Sequence, residues 1–403
     1  LSSDKEDIEI IDVGRRNTDA GPDFFNAKIK IGNKLWAGNV EIHTRSSEWT
    51  KHKHTNDKAY DSVILHVVKE IDEAVFRSNG EKIPQLALHY PTSLELSYNN
   101  LLDNPYRIAC ENKITAVPPI ILHSFLSSLL TDRLSDKTSA IENLLLINKN
   151  NWEEAFYITL ARNFGFGTNS LPFELLANSI PLSCLGKHKD NLLQLEALLL
   201  GQAGFLPVNS AKKDNYVCLL EKEYAFLKAK YNLKPLTSEQ WKMLRLRPSN
   251  FPTVRIAQFA ALVYNSTKLF SKIVEQPELD FLATLFASQP SVYWENHYLL
   301  NGKTTKKQKE LGKTTIHILL INTVIPFLFA YGKHINDGAL QDKALALLEK
   351  IPAEKNSVVN EWGRLGIHAK NAYESQALIQ LKKKYCDEKK CLRCTIGHKI
   401  LTS

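Results

Sequence analysis

The chain has 403 residues, 44% apolar and 23% charged, which excludes a disordered or low-complexity polymer and leaves room for two or three domains whose cores need no disulfide staples. Its net charge of +8 is uneven: residues 1–100 carry 13 Lys/Arg against 16 Asp/Glu, and the rest carry 38 against 27, so any polyanion grip is expected from the basic remainder. Six cysteines are too sparse for a secreted disulfide scaffold, and no signal peptide or run of about 18 apolar residues is visible, so the reading is a cytoplasmic protein without a membrane partner.

Residues 8–14 alternate weakly and end in Gly14, as a strand entering a turn does, and 15–23 (RRNTDAGPD) reads as a loop. The spacing over 25–44 predicts a hairpin: Ala27, Ile29 and Ile31 alternate with lysines, Gly32-Asn33 turns the chain, and Leu35 to His43 returns. Segment 46–61 is polar, with Ser at a helix N-cap position, and a helix there puts His54, Asp57 and Asp61 on one face. The β-branched run 62–70 has the profile of a buried central strand, and 74–90, with Asn79-Gly80, reads as a second hairpin.

Past Pro105 the texture becomes helical. Apolar spacing predicts helices over 120–134, 138–148, 151–163, 172–179, 190–200, 219–230, 237–245, 254–272, 280–287, 314–331, 339–350 and 358–385. Pro326 predicts a kink or break in 314–331, and Lys303 to Lys313 reads as an exposed basic loop. The predicted division is a β-rich module over 1–105, a helical domain over 106–356, and a long helix with a cysteine-bearing tail over 357–403. The chain starts at Leu1 rather than Met, which reads as a trimmed N-terminus, and oligomeric state is not legible.

The candidate chemistry concentrates in the first module. Asp23 opens one strand of the predicted hairpin, and Glu41-Ile42-His43 lies on the other. Facing strands bring side chains within about 5 Å, and residues two apart share a face. Two carboxylates so placed suit a hard divalent ion, Mg²⁺ or Mn²⁺, for phosphodiester hydrolysis. Pro22-Asp23 with Glu41-Ile42-His43 resembles the restriction-endonuclease-like, PD-(D/E)XK-type family. That resemblance covers about residues 8–95. It implies that the N-terminal mixed sheet is restriction-endonuclease-like, and with the helical spacing past Pro105 the chain reads as α+β, that sheet followed by a large all-α region. It also implies metal ligation by Asp23 and Glu41 and catalysis by Asp23, Glu41 and His43. His43 stands where that family has Lys, and imidazole is not a permanent cation. Arg15, Arg16 and Arg45 flank the pair as candidate phosphate contacts, with His54 and Asp57 as supports. His66, inside VILHVV, reads as a hydrogen-bonded core residue.

A broader set of segments (IDVGRRNTDAGPDFFNAKI, GNVEIHTRSSEW, HKHTNDKAYDSVILHVV, RPSNFPTVRIAQFA and KKCLRCTIG) resembles a bacterial family, a domain of unknown function, over most of the chain. It implies that the two parts are inherited together and supplies no activity. A second constellation lies in the tail: Cys386, Cys391 and Cys394 form a soft-metal pattern that either His398 or Cys110 completes, for zinc or an iron–sulfur cluster. Arg245, Arg247 and Arg255 flank a Pro-containing break, as a phosphate contact or a salt-bridge cluster. The functional expectation is a metal-dependent nuclease acting on DNA or RNA. The alternative is a catalytically inactive nucleic-acid- or protein-binding protein on a degenerate nuclease fold.

Overall fold

A computed structural model describes residues 3, 6–266 and 268–402. The chain divides into two compact units, residues 1–100 and 101–403; residues 357–403 belong to the second. The fold class is α+β, with a mixed N-terminal sheet and a mostly helical remainder.

The N-terminal unit contains β1 (Ile8–Asp12), β2 (Arg15–Arg16), β3 (Phe24–Ile31), β4 (Lys34–Arg45), α1 (Glu48–Lys51), β5 (Val63–Glu70) and β6 (Gln85–Ala87), and α2 (Thr92–Leu102) runs to its boundary. The sheet order is β1-β3-β4-β5-β6, with β2 also paired to β3. Strands β1, β3 and β4 are antiparallel; β5 joins β4, and β6 joins β5, in parallel. The predicted first hairpin is β3 and β4, joined at Gly32-Asn33. Alternation along β3 buries Ala27, Ile29 and Ile31 and leaves Lys28 and Lys30 exposed. β5 has a neighbour on each side and buries Val63, Ile64, Leu65 and His66 in succession, as a central parallel strand does.

Three expectations change here. The 15–23 loop contains a short strand, because Arg15 and Arg16 pair with Phe25 and Phe24. Residues 46–61 form no continuous helix. α1 lasts four residues, and two 3-10 turns follow at His54–Asn56 and Lys58–Tyr60. The Ser47 hydroxyl donates to Asp72 instead of capping α1, and Lys53 takes the left-handed region at φ 63°, which ends the helix. The 74–90 segment does turn at Asn79-Gly80, with Ile83 N–H bonded to the Val75 carbonyl, but its far arm continues into β6 as a parallel edge strand.

The helical unit runs α3 (Pro119–Ile147), α4 (Trp152–Phe164), α5 (Ser170–Ser179), α6 (Leu182–Gly186), α7 (Leu192–Gln202), α8 (Asn215–Tyr231) and α9 (Pro252–Asn265). It continues through α10 (Leu269–Glu275), α11 (Leu279–Phe286), a small β7–β8 pair (His297–Leu299, Gly302–Lys303), α12 (Lys313–Leu319), α13 (Ile325–His334), α14 (Gly338–Lys350), α15 (Ser357–Arg364), α16 (Ala372–Leu381) and α17 (Thr395–Thr402). One apolar core extends from Ile108 to Ile400.

The predicted helices 120–134 and 138–148 are one helix, α3, because nothing in 135–137 breaks the ladder. The predicted 358–385 helix is interrupted between α15 and α16, where Gly366 takes φ +84°. Only a 3-10 turn at Ser238–Gln240 occupies the predicted 237–245 helix. Pro326 sits in the first turn of α13, and a π-helical turn at Leu320–Val324 joins it to α12. That stretch, 313–334, is long and apolar enough to cross a membrane by composition, and 67% of its most apolar window is buried in this unit. Lys309, expected in an exposed loop, is buried, with its ammonium donating to the Glu295 and Lys307 carbonyls.

Gly38 shows how closely β4 approaches β5: a Cβ there would meet the Ser62 carbonyl oxygen at 2.6 Å. Gly38→Ala is therefore expected to cost about 1–3 kcal/mol, as overpacking does, and to lower the thermal midpoint of the N-terminal unit. An unchanged midpoint would show that the β4–β5 approach is not that tight.

Candidate functional site

Asp23 and Glu41 are joined by reciprocal backbone bonds. The Asp23 N–H donates to Glu41 Oε2 at 3.1 Å, and the Ile42 N–H donates to Asp23 Oδ2 at 3.0 Å. The β3–β4 register shift between Phe24 and Ala27, with Asn26 at φ 58°, lies directly beside Asp23; bulges recur where a sheet must re-aim a side chain. Glu41 is buried at 6% exposure. Burial raises its pKa to about 7, the Asp23 charge adds to this, and the Asp23 N–H opposes it.

Imidazoles surround this carboxylate. His43 Nε2 lies 3.4 Å and His54 Nε2 3.6 Å from Glu41 Oε1. His52 Nδ1 lies 3.2 Å from His43 Nε2, and His43 Nδ1 lies 2.9 Å from His66 Nε2. His43, His52 and His54 bring ligand atoms within 4.8 Å of one another. The left-handed Lys53 lets His52 and His54, two residues apart, both face His43. Trp49, fully buried, holds the segment down: its indole N–H reaches Thr55 Oγ1 and the Phe76 carbonyl, and its ring packs on His54, His66 and Tyr60.

Three of the imidazoles, His43, His54 and His66, are shifted towards the neutral form. Burial, then His43 and His52, pushes His54 down to about 4. Burial, then His43 and His54, pushes His66 down to about 3. His43 is lowered by burial and by His52. His54 is 9% exposed, and its Nε2 has no hydrogen-bond partner. Among the described residues, no Lys or Arg forms an ion pair with Asp23 or Glu41.

His43, His52 and His54 form a donor set able to hold one divalent ion, with Glu41 Oε1 beside two of them. Ligand atoms held about 2.0–2.1 Å from a tetrahedral centre stand about 3.3 Å apart. His52 Nδ1 to His43 Nε2 at 3.2 Å, His43 Nε2 to Glu41 Oε1 at 3.4 Å and His54 Nε2 to Glu41 Oε1 at 3.6 Å lie near that value, and the group whose ligand atoms all lie within 4.8 Å of one another is His43, His52 and His54. Three imidazoles suit zinc or a later transition ion better than Mg²⁺, while the carboxylates keep Mn²⁺ eligible.

Asp23, Glu41, His43 and His54 are thus brought together. Asp57 is exposed and caps the second 3-10 turn through Ala59 N–H at 2.9 Å; Asp61 bonds Ser78 instead. Arg45 pairs with Glu70 at 3.1 Å, while Arg15 and Arg16 are exposed on β2. A groove of about 450 Å³ opens beside His43, with Lys69, Glu48, Tyr90 and Glu95 on its walls. Arg255 turns inward, bonding Gln258 and Asn250 over the Phe166 ring, and so serves the fold. His398 is exposed on α17, while Cys391 and Cys394 are buried. His52 and His66 complete the cluster. The His-x-His spacing at 52–54 was its one sequence signal; His66 reads as core until β5 is set beside β4, opposite Glu41.

An α+β chain with a buried carboxylate and histidine cluster on its N-terminal sheet is the class defined here. The chain belongs to the DUF2851 family, described as a protein of unknown function, whose model matches residues 1–357. No curated protein and no solved structure matches it.

Histidines with depressed pKa support the fold above the unfolded value of 6.5 and withdraw that support as pH falls towards about 4 for His54 and about 3 for His66. Glu41, raised, acts oppositely: its support is complete below 4.5 and lost as pH rises through about 7. Between 6.5 and 4.5 the histidines outnumber the glutamate. In EDTA, the denaturant midpoint of the N-terminal unit should fall across that interval, read by tryptophan fluorescence; a rising midpoint would contradict the assignment.

Proposed function

We propose that the N-terminal unit is a divalent-metal-dependent phosphodiesterase acting on nucleic acid. The observation that supports this most is the convergence of Glu41 Oε1 with the nitrogens of His43, His52 and His54 beside Asp23. Glu41, His43, His52 and His54 would hold the ion, with Asp23 at its edge. A bound divalent ion supplies Lewis-acid polarisation of a phosphoryl group and a more acidic water.

The chain's own residues do the rest. His66 fixes the His43 ring through Nδ1, which leaves Nε2 as the ligand atom, the orienting role that outer hydrogen bonds play at metal sites. Asp23 has one oxygen tied to Ile42 N–H and the other available to the ion or a water. With Nδ1 of His52 on the ion its other ring nitrogen carries the proton, so the Asp23 oxygen that Ile42 N–H does not bond is the group best placed to accept a proton from an attacking water. Arg15 and Arg16 offer phosphate contacts on β2, and Lys69 lies in the groove, bonded to Glu95 at 2.9 Å. The order of β3, β4 and β5 is consistent with a restriction-endonuclease-like sheet, in which the position usually given to Lys is His43. That replacement moves the preferred ion from Mg²⁺ towards Mn²⁺ or Zn²⁺.

Cleavage of mixed single- and double-stranded DNA and RNA is expected with Mn²⁺ or Zn²⁺, weaker with Mg²⁺, and reduced at least about 100-fold in Asp23→Ala and Glu41→Gln. Metal-dependent binding without cleavage would favour the inactive binding protein instead. His66→Phe should weaken metal affinity about 10–100-fold by calorimetry while leaving the ligands in place. Unchanged affinity would remove His66 from the site.

A further inference from the structure

Four of the six cysteines lie on segments of the helical unit that meet. Cys110 directly precedes the 3-10 turn Glu111–Ala116, Cys386 ends the π-helical turn Lys382–Cys386, and Cys391 and Cys394 bracket the 3-10 turn Cys391–Arg393. The Glu111–Ala116 turn packs on α17, which starts directly after Cys394, and the π turn packs on the Cys391–Arg393 turn. Cys391 and Cys394 are buried, and Cys110 and Cys386 are half-buried against the same core. None is in a disulfide. The other two cysteines stand apart: Cys184 is buried in α6, and Cys218 is exposed on α8.

The backbone is shaped around these sulfurs. The N–H groups of Ile396 and Gly397 donate to Cys394, an arrangement that suits a thiolate better than a thiol. Gly397 is required there, because a Cβ would collide with the Cys391 carbonyl. Cys110, Cys386 and Cys394 each sense other thiols of the group. Burial pushes Cys110 up to about 12, with Cys394 and Cys391 adding to the shift, and burial raises Cys386, with Cys110 and Cys394 adding. Left alone, the four stay protonated and poor as nucleophiles. A redox pair needs two cysteines and a nucleophile one, whereas four buried or half-buried thiols on adjoining turns offer the soft donors that a thiophilic cation takes.

We propose that Cys110, Cys386, Cys391 and Cys394 together hold a thiolate-ligated metal centre that ties the C-terminal tail to the start of the helical unit. Binding exchanges the thiol protons for the metal. His398 is not part of the set: it contributes its backbone N–H to the Cys394 carbonyl at 2.7 Å, and its side chain is exposed. The shared chemistry is four thiolates, and the source is either zinc or an iron–sulfur cluster.

The test is metal and sulfide analysis of the full chain purified without oxygen, on a His54→Ala background so that the histidine site's own ion is not counted. Zinc without sulfide, or iron with matching acid-labile sulfide and visible absorption, is expected, either one lost in Cys110→Ser and Cys391→Ser and kept in Cys218→Ser. Alkylation followed by mass spectrometry gives a reading that needs no variant: Cys218 reacts at once, and Cys110, Cys386, Cys391 and Cys394 react only after chelation. Absence of both metals, equal metal in the Ser variants, or a chelator-independent alkylation pattern would overturn the proposal.

Discussion

A carboxylate buried beside a second carboxylate needs a counter-charge, and the side chains of the N-terminal unit that stand against Glu41 Oε1 are the imidazoles of His43 and His54. Glu41 has no Lys or Arg partner among the described residues, and burial with Asp23 nearby raises its pKa to about 7. A neutral imidazole cannot compensate a carboxylate, and an unpaired buried charge is too costly to persist. Either a proton resides on Glu41 or a cation enters. On the proposed reading the cation is favoured, because a protonated carboxyl needs one acceptor, whereas three imidazoles with ligand atoms within 4.8 Å of one another stand beside it.

The rest of the N-terminal unit serves that arrangement. The β3–β4 pairing sets Asp23 against Glu41, and the parallel register of β4 and β5 sets His66 beside Glu41. Trp49 and the left-handed Lys53 fold the crossover segment back so that His52 and His54 meet His43. Apolar packing of Trp49, Tyr60, Val63, Val75 and Ile83 therefore has a chemical consequence: it fixes the direction of two imidazoles.

The β3–β4 hairpin was legible because alternation and Gly32-Asn33 are local signals, and Asp23, Glu41 and His43 followed from it. The burial of β5 was equally plain in its β-branched run. The crossover was not legible. Polar residues and a serine at 46–61 suggest a helix, yet the Ser46 and Ser47 hydroxyls and the Ser47 N–H bond Asp72 from beyond β5, a long-range contact that no local pattern carries. Parallel pairing of β5 and β6 is non-local in the same way. In the helical unit, apolar period located most helices, but the join of α3 and the interruption after α15 depend on tertiary packing. The cysteine pattern was visible in the tail, whereas the packing of the turn after Cys110 against α17, on which the proposed set rests, needed the fold. The family match ends at residue 357, so three of those cysteines lie beyond the matched segment.

The most direct measurement of the central claim is anomalous diffraction from crystals of the full chain soaked with Zn²⁺ or Mn²⁺. The account predicts one peak about 2.0–2.2 Å from Glu41 Oε1, His43 Nε2 and His54 Nε2, with His52 Nδ1 in the same shell. An ion that bypasses the imidazoles, or no peak there at saturating metal, would contradict it.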